Sequence, residues 1–528
     1  MDIKSLKDNN KLYLGIEFGS TRIKGVVTDD KGKVLAGGDH EWENRFENGV
    51  WTYSMDDVWN GLQDCFANVK KDFNDKYGII LDSVGVLGIS AMMHGYLAFD
   101  KDDELLVPFR TWRNTITEEA AKELTTLFGY NIPQRWSIAH LYQAILNKEE
   151  HVGRVAFFTT LAGFVHWKLT GEKVLGIGDA SGMFPIDSNT RDYNKVMIEK
   201  FDKLIAGKGI DYKLEDILPK ALNAGECAGI ITEEGAKLLD PTGEFKSGIK
   251  TAPPEGDAGT GMVATNSVGV RTGNTSAGTS VFAMVVLEKE LSKVYPQIDI
   301  VTTPDGASVG MVHCNNCTSD INAWVNLMDQ NLKLFGCNVD KNTLYTKLFE
   351  AALEGEKDCG GLISYNYFSG EPVTGFDDGA PLFVRKATDD LTIANFMRMH
   401  IYSSLAALKS GLDLMLREEG VKVDEMFGHG GLFKTPVVGQ SVLAAAINSP
   451  VSVMETAGEG GPWGMAILAS YVEESNGRSL QDYLNEVIFA GRKITKIIPK
   501  QEDVDGFDAF MKKYMAGLDI EHAAVKAL

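Results

Sequence analysis

Two α/β domains, each opening with a β-meander folded around a glycine–hydroxyl turn, are the fold class this sequence predicts. Three observations carry the prediction. The chain has 528 residues, more than one hydrophobic core serves, so two or more domains follow. Two short glycine turns, Gly15–Gly25 (GIEFGSTRIKG) and Gly273–Ser280 (GNTSAGTS), stand far apart, each flanked by β-branched or apolar residues. The last stretch of the chain alternates short apolar runs with helical patterns, the mark of parallel β/α units.

In the first half, Leu12–Phe18, Arg22–Asp29 and Lys33–Glu41 read as three strands joined by the glycine turn and by Asp29-Asp30-Lys31-Gly32. A helix follows over Met55–Phe73, with Val58, Leu62, Phe66 and Val69 on one face. Val84–Ser90 is almost wholly apolar, as a buried parallel strand is. Tyr96–Asp100 and Leu105–Arg110 bracket a polar turn and predict a hairpin, and Thr115 with Glu118 predicts a capping box for helix Glu118–Leu127. Helices are also expected over Ile138–Asn147, Leu161–Leu169 and Tyr193–Ile205. Pro253-Pro254-Glu255-Gly256 punctuates the middle. Beyond it, strands are predicted at Val268–Thr272, Ser280–Leu287, Ile298–Thr302 and Ser308–His313, and helices at Ser319–Leu334, Asn342–Glu354 and Leu391–Glu418. The end alternates strand Glu425–Phe427, helix Pro436–Ile447, strand Val451–Met454 and helix Pro462–Glu473. The polar stretch Gln501–Leu528 carries one amphipathic helix at most. The expected domains are 11–265 and 266–500, with 501–528 a helical tail and a ligand cleft between the two domains.

Hydrophobic content of 44% and charged content of 24% are those of a soluble globular protein. A formal net charge of -21 argues against nucleic acid or an anionic membrane as partner, because such surfaces require excess Lys and Arg. A small phosphorylated ligand needs only a few local donors. The start of the chain lacks an apolar signal core, no apolar run is long enough to span a bilayer, and the six cysteines are scattered, which together predict a cytoplasmic protein. His313-Cys314-x-x-Cys317 has no second cysteine pair, so small apolar packing is expected there rather than zinc.

The glycine turns aim backbone N–H groups and hydroxyls into a small space, which suits a phosphate chain; Gly19, Ser20, Thr21 and Lys24 serve the first, Gly278 and Thr279 the second. Neither opens a helix and no G-x-x-x-x-G-K-[ST] occurs, so a P-loop is excluded. Asp257, in Pro254-Glu255-Gly256-Asp257-Ala258-Gly259, sits among small residues that let a ligand approach, and its carboxylate is placed to take a proton from an alcohol. The alternative is a turn Asp that caps the next helix. Gly259-x-Gly261-x-x-Ala264 mimics a dinucleotide fingerprint, but no strand pattern runs into it. Met92-Met93-His94-Gly95 follows directly on a buried parallel strand, where ligands of α/β sheets gather. Trp112 and Arg113 offer a flat face and donors to a sugar. Gly428–Lys434, with Gly430, Gly431 and Lys434, and Glu459–Ala466, with Gly464, are glycine-rich loops open to a base or phosphates.

In this order the segments resemble the FGGY carbohydrate kinases of the actin/hexokinase/Hsp70 ATPase superfamily. The first turn resembles that family's first phosphate motif and Gly278-Thr279-Ser280 its second. Gly256-Asp257-Ala258-Gly259 resembles the segment with the catalytic aspartate, and Gly428–Lys434 and Gly461–Ala466 resemble the adenosine motifs. Ser90–Gly95, Leu169-Thr170-Gly171, Asp179-Ala180-Ser181-Gly182 and Phe368-Ser369-Gly370-Glu371 resemble xylulokinases, while Gly430-Gly431-x-x-Lys434-x-Pro436 is at least as close to ribulokinases. The resemblance implies two actin-like (ribonuclease H-like) ATPase domains and phosphoryl transfer from Mg-ATP to a ketopentose such as xylulose; the alternatives are a kinase of another sugar or polyol (ribulose, a deoxyketose, a glycerol-like substrate) and a non-kinase ATP-binding sensor of the same fold. It implies Asp257 as base, sugar against Met93, His94, Gly95, Trp112 and Arg113, and Mg2+ held by Glu17 and Asp257. A homodimer is a further expectation. Four positions depart from the family pattern: Glu17 for Asp, Met92 for Gln, Trp112-Arg113-Asn114 for Trp-Asn-Asp, and Ala162-Gly163 for Lys-Asp. Three of them fall at or near the expected sugar side. Glu17 has a competing reading, in which it pairs with Lys24 or Arg22 and leaves Mg2+ to Asp257.

Overall fold

The computed structural model describes residues 3–456 and 460–528. The chain divides into two compact units, one of Met1–Val268, Ile300–Val309 and Glu459–Gly491, the other of Gly269–Asp299, Gly310–Gly458 and Arg492–Leu528. The division differs from the expected boundaries in three places. Ile300–Val309, expected in the second domain, belongs to the first unit. The helix expected over Pro462–Glu473 runs Gly460–Glu474 and belongs to the first unit. The expected tail belongs to the second, as two helices, Gln501–Ala516 and Leu518–Ala527. Its polar composition hides a buried stripe of Val504, Phe507, Phe510, Met511 and Tyr514, with Phe507 stacked 4.3 Å from Tyr402.

The first unit is built on a mixed sheet in the order Gly229–Ile230, Lys250–Thr251, Val86–Ala91, Tyr13–Phe18, Arg22–Thr28, Val34–Glu41. The last three form the predicted meander. Val86–Ala91 is parallel to Tyr13–Phe18 and buried throughout, as its apolar run requires. Glu255–Gly256 adds to it in parallel and leads straight into helix Asp257–Ala264, so a strand does enter that glycine-rich segment. Helix Met55–Tyr77 buries Val58, Leu62, Phe66 and Val69 and runs a turn beyond the predicted end, to Gly78 in the left-handed conformation at φ 65°.

Two helices cover opposite faces of this sheet, and glycines set both distances. On one face a Cβ at Gly38 would meet the Val69 nitrogen at 2.5 Å, so helix Met55–Tyr77 lies directly on the strands. On the other, a Cβ at Gly15 would lie 2.2 Å from the Pro462 carbonyl oxygen and 2.4 Å from the Ala466 nitrogen. Gly464 meets the Thr260 carbonyl in the same way, at 2.1 Å. Gly464, expected against ATP, is therefore used for helix packing.

Three local expectations are corrected. Helix Glu118–Phe128 starts after Thr117, so Thr115 stands two residues before the N-cap and its box with Glu118 does not form; the Thr117 hydroxyl donates to the Gln134 carbonyl at 2.5 Å. The hairpin survives only as bridges Tyr96–Arg110 and Phe99–Leu105, since Leu97–Phe99 pairs with Phe157–Thr159. In the second unit the strand expected at Val268–Thr272 lies at Thr272–Ala277, because Asn274 and Thr275 are buried within a ladder. That strand lies antiparallel to Val281–Val286 and parallel to Glu425–His429, and its sheet continues to Val451–Met454 and Ile494–Ile497. Helix Ser319–Leu334 and strand Val451–Met454 have the predicted limits. No helix among the described residues is long and apolar enough to cross a membrane.

Filling the space between Gly15 and helix Gly460–Glu474 tests the packing. Gly15→Ala is expected to lower unfolding stability by about 1–3 kcal/mol, an overpacking cost read by urea denaturation. An unchanged midpoint would mean that this helix does not rest on the strand.

Candidate active site

In the first unit, strand register brings the predicted chemistry into one corner. Glu17 and Glu255 are both register partners of Ser90, so the three side chains share a face across adjacent strands. One residue past the end of the strand Glu255–Gly256 stands Asp257, at the first position of its helix. Past the end of Val86–Ala91 stand Met92 and Met93, and the Met93 N–H donates to Asp257 Oδ1 at 3.1 Å. Asp257 is open to solvent but crowded by protein on its other sides. That crowding raises its carboxyl above the ordinary value, against the N–H groups of Met93, Ala258 and Asp257 itself, which lower it.

His94 follows in the left-handed region at φ 69°, unusual for a residue with a side chain, and Gly95 continues at φ 88°. A Cβ at Gly95 would lie 2.8 Å from the Phe109 ring. Burial holds the His94 imidazole well below its ordinary pKa, so the ring is neutral. Its Nδ1 lies 3.1 Å from the Gly182 carbonyl, which only accepts, so Nδ1 carries the proton and Nε2 is left as an acceptor. Trp112 is exposed and donates from Nε1 to Ser20 Oγ at 3.3 Å. Arg113 lies 3.8 Å over the Trp51 ring, and Asn114 is bound to the Trp51 backbone.

Glu17 is half-buried and touches the first turn of helix Gly460–Glu474, where a Cβ on Gly461 would overlap its Oε2. Burial and the neighbouring Asp257 push its carboxyl up to about 8, with Lys24 opposing. Lys24 is its register partner but forms no ion pair with it, and Arg22 is taken by Asp39 at 3.2 Å and by Glu41. Glu459 of the same glycine motif lies outside the described residues.

The first turn closes through the Gly19 N–H to the Arg22 carbonyl at 2.9 Å. Its carbonyls are tied back by two stacked aromatics: Gly19 to Trp42 Nε1 at 2.7 Å, Ser20 to the Tyr53 hydroxyl at 2.6 Å, and Thr21 to the Trp42 N–H at 3.2 Å. The N–H groups of Ser20 and Thr21 have no partner among the described residues. The second turn is built alike. The Gly278 N–H closes it on the Ser280 carbonyl at 2.9 Å, while Thr318 Oγ1 and the Cys317 N–H hold the carbonyls of Gly278 and Thr279 at 2.7 and 2.9 Å. The amides left to meet an anion are thus those at the tips. The N–H groups of Gly19 and Gly278 are already used. Gly430, at φ 96°, packs on the Ala277 carbonyl beside the second turn, and Gly431 and Lys434 follow it exposed.

Glu255 and Asp179 were not singled out as site residues. Glu255 is fully buried and accepts N–H bonds from Gly178 at 3.2 Å, Asp179 at 3.0 Å and Gly256 at 3.3 Å. Burial still pushes its carboxyl up to about 8. Buried Asp179 accepts from Thr160 Oγ1 at 2.6 Å, and its other oxygen has no partner. The sequence signals are Glu255 two residues before Asp257 and Asp179 opening the xylulokinase-like Asp179–Gly182 segment. Since the folded Glu255 holds its proton up to about pH 8, and the unfolded side chain only to about 4.3, the fold loses stability as pH rises through that window. Glu255→Gln is expected to flatten this decline by up to about 1.4 kcal/mol per pH unit, read by denaturation at stepped pH. A slope equal to that of the unsubstituted protein would remove Glu255 as its source.

Comparison with known proteins gives the site its family. The FGGY N-terminal carbohydrate-kinase domain matches residues 12–242 and the C-terminal domain residues 273–473. Xylulose kinase of Haemophilus influenzae is 23% identical over 519 residues, covering 96% of this chain and 99% of that protein. Among solved structures, gluconate kinase from Lactobacillus acidophilus superposes with a TM-score of 0.78 at 17% identity, over 98% of this chain and 99% of that one. Ligand-bound xylulose kinase from the same organism gives 0.76 at 17%, over 96% and 98%. The likeness extends to the whole two-domain, actin-like fold, and with both family domains matched in order the chain belongs to the FGGY family of carbohydrate kinases, which use ATP to phosphorylate sugars.

Proposed function

We propose that this chain transfers the terminal phosphoryl group of ATP to a hydroxyl of a ketopentose such as xylulose, with Asp257 as general base. One observation carries the reading: the Asp257 carboxylate, at a helix N-terminus and open to solvent, is fixed by the N–H of Met93 in the Met-His-Gly loop. A sugar held by that loop lies beside the base. The raised pKa of Asp257 makes it a better proton acceptor than an ordinary carboxylate. His94, neutral and strained into place, offers Nε2 to a sugar hydroxyl. The tip amides of Ser20, Thr21 and Thr279, with Lys24, serve the phosphates, and Gly430, Gly431 and Lys434 the nucleotide. The name of the Haemophilus influenzae relative supports xylulose, and that of the gluconate kinase keeps other sugars in the test. A coupled ADP-release screen over pentoses, ketoses, polyols and gluconate decides. Fastest turnover with a substrate other than a ketopentose would replace the proposed sugar without touching the base.

The residues fit Mg2+. Glu17 and Asp257 are adjacent carboxylates, neither in an ion pair among the described residues, and Asp257 raises the pKa of Glu17, a repulsion that a divalent cation relieves. Bound there, the ion would offset charge on the phosphates.

Asp257→Asn is expected to lower sugar-dependent turnover by at least ~10²-fold while ADP affinity is retained. Near-normal turnover of the folded variant would remove the base assignment. For Glu17, the Gln variant is expected to need about tenfold more Mg2+ for half-maximal rate and the Asp variant to stay active, since Mg2+ holds its waters and tolerates a changed reach. Unchanged Mg2+ dependence in Glu17→Gln would end the metal role.

A further inference from the structure

Glu371 stands in the Phe368–Glu371 motif, and nothing in the reaction above uses it. Its side chain is fully buried and lies in no ion pair among the described residues, a costly place for a carboxyl group. Its Oε2 accepts two bonds from one residue, the backbone and side-chain N–H groups of Asn316, both at 3.2 Å. Asn316 Oδ1 in turn accepts the N–H groups of Phe368 at 2.8 Å and Ser369 at 3.2 Å. Asn366 Nδ2 holds the Cys317 carbonyl at 3.0 Å. This cage fixes Asn316 and Cys317 in front of the second glycine turn. From there Cys317 N–H reaches the Thr279 carbonyl, and Thr318 N–H and Oγ1 reach the Gly278 carbonyl, at 2.9, 3.1 and 2.7 Å.

The direction of these bonds matters more than their number. A turn presents either carbonyls or amides to a ligand, and an anion is repelled by the first and bound by the second. Donors drawn from Cys317 and Thr318 occupy both carbonyls, so the tip amide of Thr279 is what remains. We propose that Glu371 is a positioning residue of the nucleotide site: through Asn316 it fixes the Asn316–Thr318 segment, which holds the Gly278 and Thr279 carbonyls away from phosphate. The inference rests on the reading of Gly278–Ser280 as a phosphate turn. It assigns the need to the acceptor oxygen of Glu371, which an amide also supplies.

The test uses ADP titration calorimetry and steady-state kinetics on the full chain. Glu371→Met, which keeps bulk but removes the acceptor, is expected to weaken ADP binding and raise KM for ATP about tenfold, with KM for the sugar unchanged. Glu371→Gln should stay within about twofold of the parent, because its amide oxygen can still accept from Asn316. Thr318→Val should weaken ADP binding about fivefold, and combined with Glu371→Met should cost less than the product of the two, since both act on one segment. Parental ADP affinity in Glu371→Met, equal losses toward ADP and sugar, or multiplicative losses in the double variant would overturn the proposal. If Glu371→Met does not fold, Thr318→Val decides, and unchanged ADP affinity there overturns it. Gly278→Ala isolates the underlying reading, because a Cβ at that position meets nothing within 4 Å and would intrude only on a ligand. Normal ADP binding by this variant would reject the phosphate turn itself, whatever Glu371 does.

Discussion

A single strand register organises the first unit. Val86–Ala91 pairs in parallel with Tyr13–Phe18 on one side and with Glu255–Gly256 on the other, both in step at Ser90. That step lines up Glu17, Ser90 and Glu255 and makes all three strands end together. The glycine turn, the Met92–Gly95 loop and Asp257 then leave from one edge. A slip of one residue would turn Glu17, Ser90 and Glu255 toward helix Met55–Tyr77 and bring their apolar neighbours to the site face. The register is defended by close approach as well as by hydrophobic pattern, since Gly15 and Gly88 on the same face leave room only for the backbone and Met465 of helix Gly460–Glu474.

This arrangement has an electrostatic consequence. Glu17, Asp179, Glu255 and Asp257 share the corner, none is in an ion pair among the described residues, and burial raises the pKa of all four. Backbone N–H groups do what cations do elsewhere. Glu255 takes three and Asp257 takes that of Met93. Such donors are fixed by the fold and carry no net charge, and they leave the proton affinity of the corner raised. That is the condition a base and a cation site both require.

Much of this was legible in the sequence because it rests on local pattern. The meander, the buried strand, helix Ser319–Leu334 and the glycine turns are signalled by periodicity and by glycine. Asp257 stands out as a candidate because the small residues around it leave room at its carboxylate. What escaped depends on partners distant in sequence. Gly464 looks like a loop glycine until helix Gly460–Glu474 is seen against Thr260. Asn274 and Thr275 look like turn residues until both neighbouring strands bury them. The tail looks polar because its apolar residues form one narrow buried stripe, with Phe507 and Phe510 against Tyr402 and Tyr514 against Tyr365. Glu255 and Glu371 look like surface acids, since nothing local marks a carboxyl group that will be enclosed.

The two glycine turns reach one electrostatic result by different means. Neither has a helix behind it, so neither gains the helix macrodipole that a P-loop uses. Each instead ties its carbonyls back and leaves its tip amides unpaired. In the first turn the ties come from the stacked pair of Trp42 and Tyr53, rigid groups with few torsions to fix. In the second they come from Cys317 and Thr318, in the short link between strand Ser308–Cys314 and helix Ser319–Leu334. A loop holds donors in place only if something else holds the loop. That difference explains why the second turn is backed by a buried polar cage, with Asn316 at its centre, while the first needs only aromatic packing.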